Sequence, residues 1–238
     1  GVRLVGSEMC IRDSCQMRAR PKLFNELLAA NCLLMITGSK FYQSPPFSGA
    51  LLVPESFAEG IMKANIEQEA VDGFDTVYSK YDIPPSYRKL RSLFKTHENI
   101  GLTLRWEAAI CETEKLSQYT EREATFAISN WNRRLIDYFD TKDCFELLPD
   151  QDLTNNSILS IKVKGSNGYF DADALKRLYE HLVTRGHEYQ DRFSKLTIGQ
   201  PVTYGEHAFV RFALGSTNVR ELIESNHDMS NDCLLYTS

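Results

Sequence analysis

The chain has 238 residues, 42% of them hydrophobic and 25% charged, an ordinary globular composition that allows one large domain or two small ones. A net charge of −5, a pI near 5.6 and the lack of any Lys/Arg-rich tract argue against a nucleic-acid partner. No apolar run has the length of a membrane span, and six irregularly spaced cysteines without a CxxC pair point to reduced thiols in a cytoplasmic setting.

Five histidines show neither HExxH nor another metal-ligand spacing, and no metal is expected. The opening GVRLVGSEMCIRDS and the closing CLLYTS read as translated adapter sequence, and are set aside from fold reasoning as fusion scars are. That reading implies a natural protein cut at both ends.

In chain order, the first native element is a short helix over 21–30, with Leu23, Leu27 and Leu28 at helical spacing and Asn31 as its stop. It feeds Cys32–Ile36, an uninterrupted apolar run suited to a strand buried on both faces. Thr37-Gly38-Ser39 ends the run, and Lys40 follows at once. A loop shaped by Pro45, Pro46 and Gly49 leads to a second apolar run, Ala50–Val53. Helix followed by buried strand is the α/β alternation of a mostly parallel sheet. A lysine just beyond such a strand stands where open α/β sheets bind ligands, although a solvated surface lysine fits the same spacing.

Residues 55–100 are polar and mixed, with Pro84-Pro85 as a break between short helices. Two long helices follow. Trp106, Ala109 and Ile110 share a face of the first. The second opens on Thr120-Glu121-Arg122-Glu123, a capping-box spacing, and carries Ala124, Ala127, Ile128, Trp131, Leu135, Tyr138 and Phe139 as a packing stripe.

The polar stretch Pro149–Asn156 reads as a domain boundary. Beyond it, Ser157–Val163 alternates as a strand. Asp171 and Asp173 open a helix with Leu175, Leu178, Tyr179 and Leu182, which Gly186 ends. Phe209–Leu214 is a last strand, with Val210, Phe212 and Leu214 opposite Arg211. The expected division is 1–14 adapter-like, 15–150 part of a large α/β domain, 151–228 a small α+β domain, and 229–238 a tail.

TGSKFYQSPPFSGALLVP resembles the cofactor-lysine segment of the class V aminotransferase family, pyridoxal-phosphate (PLP) enzymes of fold type I, in which Ser-x-His-Lys ends a strand before a Gly/Pro loop. Upstream, Asp13-Ser14-Cys15-Gln16 matches the family's Asp-x-x-Gln, and Arg211 to Asn218 resembles its Arg-x-Ser-x-x-x-x-Asn element. The resemblance covers about residues 13–226, as the second half of the large domain plus the small one. It implies that Lys40 holds PLP as a Schiff base and shuttles the proton at the substrate α-carbon. Asp13 would face the pyridine nitrogen, Gln16 the ring hydroxyl oxygen, and Thr37 the phosphate. Ser39, in the cofactor site, replaces the family's histidine. Arg211 would pair with the substrate carboxylate. Asp13 falls inside the adapter-like stretch, and Ala213 replaces the serine of the third element.

The same resemblance implies a homodimer acting on an amino acid, most directly by amino-group transfer. Desulfurase- or kynureninase-like chemistry and a non-catalytic relative are the alternatives. Cys144 reads as a structural residue and Cys111 as mid-helix, so neither marks a persulfide carrier. A phosphate-binding loop built on Gly38-Ser39-Lys40 lacks the earlier glycine of GxxxxGK[ST]. The family's ring-stacking residue and most of its phosphate loop precede Asp-x-x-Gln, so the 238-residue chain by itself is expected not to fold into an active enzyme, and either to aggregate or to bind no PLP.

Overall fold

The computed structural model describes residues 10–13, 17–18, 21–148, 155–185, 200–204 and 207–225. They contain seven α-helices and eight strands, and the chain divides into two compact units, Gly1–Cys111 and Glu112–Ser238. Among the described residues no helix is long and apolar enough to cross a membrane.

The first unit holds a three-stranded sheet in the order β1-β2-β3, with β1 at Cys10–Asp13, β2 at Cys32–Thr37 and β3 at Gly49–Leu52. Helix α1, Pro21–Ala29, carries the chain from β1 to β2, which pair in parallel from Cys10 opposite Cys32 to Asp13 opposite Met35. Asn31 stops α1 with a left-handed φ of 57°, a conformation asparagine tolerates better than most residues. Strand β3 returns antiparallel, Leu34 opposite Leu52 and Thr37 opposite Gly49.

Two sequence expectations change here, and one strand lies where none was expected. The sheets are mostly antiparallel, because the loop between β2 and β3 is too short for the crossover a parallel step requires. Strand β2 is buried on one face: Cys32, Leu34 and Ile36 are buried, Leu33 is half-buried and Met35 is 43% exposed. Cys10–Asp13, set aside as adapter-like, forms β1.

After the sheet come α2 (Glu55–Lys63), two 3-10 turns (Gln68–Ala70 and Phe74–Thr76) and α3 (Arg88–Ser92), the short elements expected around Pro84-Pro85. Helix α4, Ile100–Leu116, begins in the first unit and ends in the second. Its Trp106 Nε1 donates to the Gly49 carbonyl at 3.3 Å, and Ala109 is buried. Ile110, expected on that face, is exposed.

The second unit contains α5 (Glu121–Asp140), β4 (Phe145–Leu147), β5 (Ile158–Gly165), β6 (Gly168–Tyr169), α6 (Ala172–Arg185), β7 (Val202–Tyr204), β8 (His207–Ala213) and α7 (Ser216–Glu224). Its strands are antiparallel in the order β4-β5-β8-β7, with β6 beside β5. Thr120 caps α5: its hydroxyl accepts from Glu123 N–H at 3.2 Å, while Glu123 Oε2 accepts from Thr120 N–H at 2.7 Å.

The buried face of α5 (Ala127, Ile128, Trp131, Leu135 and Phe139) packs toward β4 and α7, and the Phe139 ring meets those of Phe145 and Phe212. Tyr138 lies off this face, exposed. Leu175 of α6 is fully buried. Gly186 and 149–154, including most of the expected boundary, lie outside the described residues. The two compact units divide within α4, and α5 goes with the second sheet.

Candidate functional site

Lys40 is exposed, three residues past the end of β2, on a loop whose backbone is tied at three points. Gly38 N–H donates to the Ser48 carbonyl at 3.0 Å, Ser44 N–H to the Gly38 carbonyl at 3.2 Å, and Gln43 N–H to the Lys40 carbonyl at 3.1 Å. Gln43 and Phe47 hold φ values of 53° and 70°. For a bulky aromatic the left-handed region is a strained conformation, and Phe47 holds it while 85% exposed.

Four hydroxyls line the loop. Thr37 Oγ1 lies 2.9 Å from Ser39 Oγ and 3.5 Å from Ser48 Oγ, and Ser48 Oγ lies 2.8 Å from Ser44 Oγ. Ser39 N–H donates to Thr37 Oγ1 at 3.2 Å. Ser44 and Ser48 are buried, and each can donate to the Pro45 carbonyl at 3.4 Å. With Thr37 donating to Ser39, the half-buried Ser39 hydroxyl keeps its hydrogen for an incoming acceptor. Nothing larger than glycine fits at 38: an added Cβ would overlap that of Ala109 and approach the Ser44 and Ser48 hydroxyls.

The residue after Lys40 anchors the turn from the other side. Phe41 is 4% exposed, with the Tyr42 ring edge-on at 5.1 Å and the Arg18 guanidinium 5.3 Å from its centroid.

Thr37, Ser39 and Lys40 thus share one turn. Asp13 is the last residue of β1, its backbone beside Met35 at the carboxyl end of the parallel pair; its side chain, and all of Gln16, lie outside the described residues. Arg211 sits on β8 in the second unit, opposite Ser160, with its guanidinium 5.8 Å from the Phe209 ring centroid. Arg18, Phe41, Ser44 and Ser48 escape sequence reasoning. The Ser-Pro-Pro-Phe-Ser spacing could have flagged the serines as loop closers, whereas no pattern marks Arg18.

Cys32 is buried, while Cys111 and Cys144 are exposed, so Cys144 is not the packing residue its apolar neighbours suggest. None of the three forms a disulfide. Among the described residues no cluster of three His, Cys, Asp or Glu side chains could hold a metal ion.

The residues present fit PLP in kind: a primary amine on a tied backbone, with a hydroxyl donor at Ser39 one residue away. No protein-family model, curated protein or solved structure matches the chain.

Proposed function

We propose that the chain carries the lysine side of a PLP site of the fold-type-I, class V aminotransferase kind, in a cytoplasmic homodimer that transfers amino groups from an amino acid. One observation carries the reading. The exposed Lys40 stands at the carboxyl edge of a parallel strand pair whose other member ends at Asp13, the arrangement in which open α/β sheets hold ligands.

In this reading Lys40 Nζ would hold the cofactor at its aldehyde carbon, with water as the leaving group, and once the substrate amine displaces it the freed amine would carry the proton to and from the substrate α-carbon. The Ser39 hydroxyl would donate toward phosphate, with Thr37 donating to Ser39 behind it, and the resemblance adds Asp13 and Gln16 at the ring and Arg211 at the substrate carboxylate. When bound, the cofactor supplies an electron-accepting ring that the side chains lack. The backbone bonds within residues 38–48 fix the point from which the Lys40 side chain starts, which lowers part of the entropy cost of reaching a fixed carbon. A lyase or hydrolase of the same family would use the same groups, and an amino-acid substrate screen separates them.

The test is made on the protein in its natural full-length form. It is mixed with PLP, its absorbance is recorded before and after borohydride reduction, and the modified peptide is located by mass. A reduced pyridoxyl group on Lys40, lost in Lys40→Ala, is the expected result. A folded protein with no adduct on Lys40 refutes the reading.

A further inference from the structure

Arg18 is 5% exposed, an unusual placement for a side chain that cannot shed its charge. Its guanidinium lies 5.3 Å from the centroid of the Phe41 ring, and Phe41 is itself 4% exposed. The Tyr42 ring meets Phe41 edge-on at 5.1 Å and 75°. A cation over one ring, and that ring against a second, form a stack immediately after Lys40.

We propose that Arg18 is the positioning residue for Lys40, acting through the face of Phe41. The inference rests on Lys40 being the reactive amine proposed above. The backbone on the strand side of Lys40 is fixed by the Gly38 and Ser48 hydrogen bond at 3.0 Å. On the far side, the Gln43 N–H bond to the Lys40 carbonyl at 3.1 Å sets the distance along the turn, and one hydrogen bond, with its broad angular preference at the carbonyl, restrains the tilt of a peptide plane only weakly. A buried aromatic at the next residue removes that freedom if its ring is clamped, and a planar guanidinium does this better than an ammonium, which offers a point charge and no face. Lys40 is then an exposed amine whose Cα is held on both sides, so its reach is set by side-chain rotation alone.

The experiment uses the natural full-length protein, PLP and four variants: Arg18→Met, Arg18→Lys, Phe41→Leu and the double variant Arg18→Met/Phe41→Leu. Three quantities are read: the share of reduced pyridoxyl found on Lys40 relative to other lysines, the circular dichroism induced in the bound chromophore, and the melting temperature. Arg18→Met is expected to lower the Lys40 share about 10-fold, the scale on which small misplacements act, and to abolish the induced signal. Arg18→Lys falls between the two, and Phe41→Leu matches Arg18→Met. In the share of label on Lys40 the double variant Arg18→Met/Phe41→Leu is no worse than either single change, because each change alone already removes the clamp on the ring. A folded Arg18→Met protein that melts lower yet keeps the Lys40 share and the induced signal overturns the proposal, since a merely structural arginine would behave so. If Arg18→Met does not fold, unchanged labelling and dichroism in Phe41→Leu overturn it equally. A wild-type protein with no Lys40 adduct overturns the PLP reading itself and this inference with it, an outcome visible before any variant is made.

Discussion

Replacing Gly38 by alanine tests the packing that holds the Lys40 turn in place. The new methyl would overlap the Cβ of Ala109 and stand 3.1 Å from Ser44 Oγ and 3.4 Å from Ser48 Oγ. None of these yields cheaply. Ala109 is 2% exposed on a helix of 17 residues, and the two hydroxyls are bonded to each other at 2.8 Å. The glycine cannot slide away either, since its N–H and carbonyl are both tied, at 3.0 and 3.2 Å.

Overpacking of this kind costs about 1–3 kcal/mol, and a site held on both sides belongs near the top of that range. The reduced freedom of the unfolded chain returns about 0.4–1 kcal/mol, leaving Gly38→Ala destabilised by about 2 kcal/mol. Ala109→Gly should cost about 2 kcal/mol on its own, roughly half from helix propensity and half from the lost buried methyl. In the double variant the alanine methyl at 38 fills the space vacated at 109. Its total should therefore fall to about 1 kcal/mol, against an additive sum of about 4 kcal/mol. Urea unfolding followed by circular dichroism, with the slope checked for constancy, measures all four corners of the cycle. A double variant within about 0.5 kcal/mol of additivity would show that Ala109 does not occupy the space beside Gly38.

Other sites give sharp outcomes. Glu112 Oε1 accepts from Arg220 Nε at 3.0 Å, pairs with Arg220 Nη2 at 3.0 Å, and accepts from the hydroxyls of Ser216 and Thr217 at 3.2 Å, so it ties α4 to the start of α7. Glu112→Gln should lose about 2 kcal/mol in urea unfolding, and a loss under about 0.5 kcal/mol would dismiss the carboxylate as the tie. Phe47→Gly should raise stability by about 0.5–1 kcal/mol, because relief of left-handed strain exceeds the added freedom of the unfolded chain, and the side chain is 85% exposed; a fall of that size would mean that the ring holds the loop. Lys95 Nζ, 2.7 Å from Asp75 Oδ2, holds the Asp75 carboxyl below its ordinary value of 3.8. A lowered folded-state pKa contributes stability above the ordinary value and loses it as pH falls through the lowered one. The melting difference between wild type and Asp75→Asn should therefore shrink below about pH 4, and a pH-independent difference contradicts the assignment.

Helix α5 is legible from local chemistry because its signals lie within a few residues of one another. Thr120 and Glu123 form the capping box that their spacing announces, and Ala127, Ile128, Trp131, Leu135 and Phe139 bury the stripe. Tyr138 departs from it: 51% exposed, it carries the Lys142 ammonium 5.4 Å over its ring, an amphipathic side chain wet on one side. Asn31 likewise ends α1 as its side chain favours. Burial of strands is another matter. The run CLLMI in β2 is apolar at every position, yet it alternates buried and open, because covering a strand depends on elements far away in sequence. The stack of Arg18 on Phe41 is illegible for the same reason.

Strand direction, by contrast, was available in the connection lengths. Eighteen residues from 14 to 31, with α1 among them, separate β1 from β2, enough for a parallel crossover. Only eleven, from 38 to 48, separate β2 from β3, and the dozen or so that a crossover needs cannot be found there. The chemical consequence follows from the second length. An antiparallel return places Gly49 opposite Thr37, so the loop must double back over the edge from which Lys40 projects. That return brings Ser48 within 3.5 Å of Thr37 and joins it to Ser44. A parallel β3 would start at the opposite edge, and Ser48 could not reach Thr37. The hydroxyl chain beside Lys40 therefore exists because the sheet departs from the parallel pattern that the helix–strand alternation suggested.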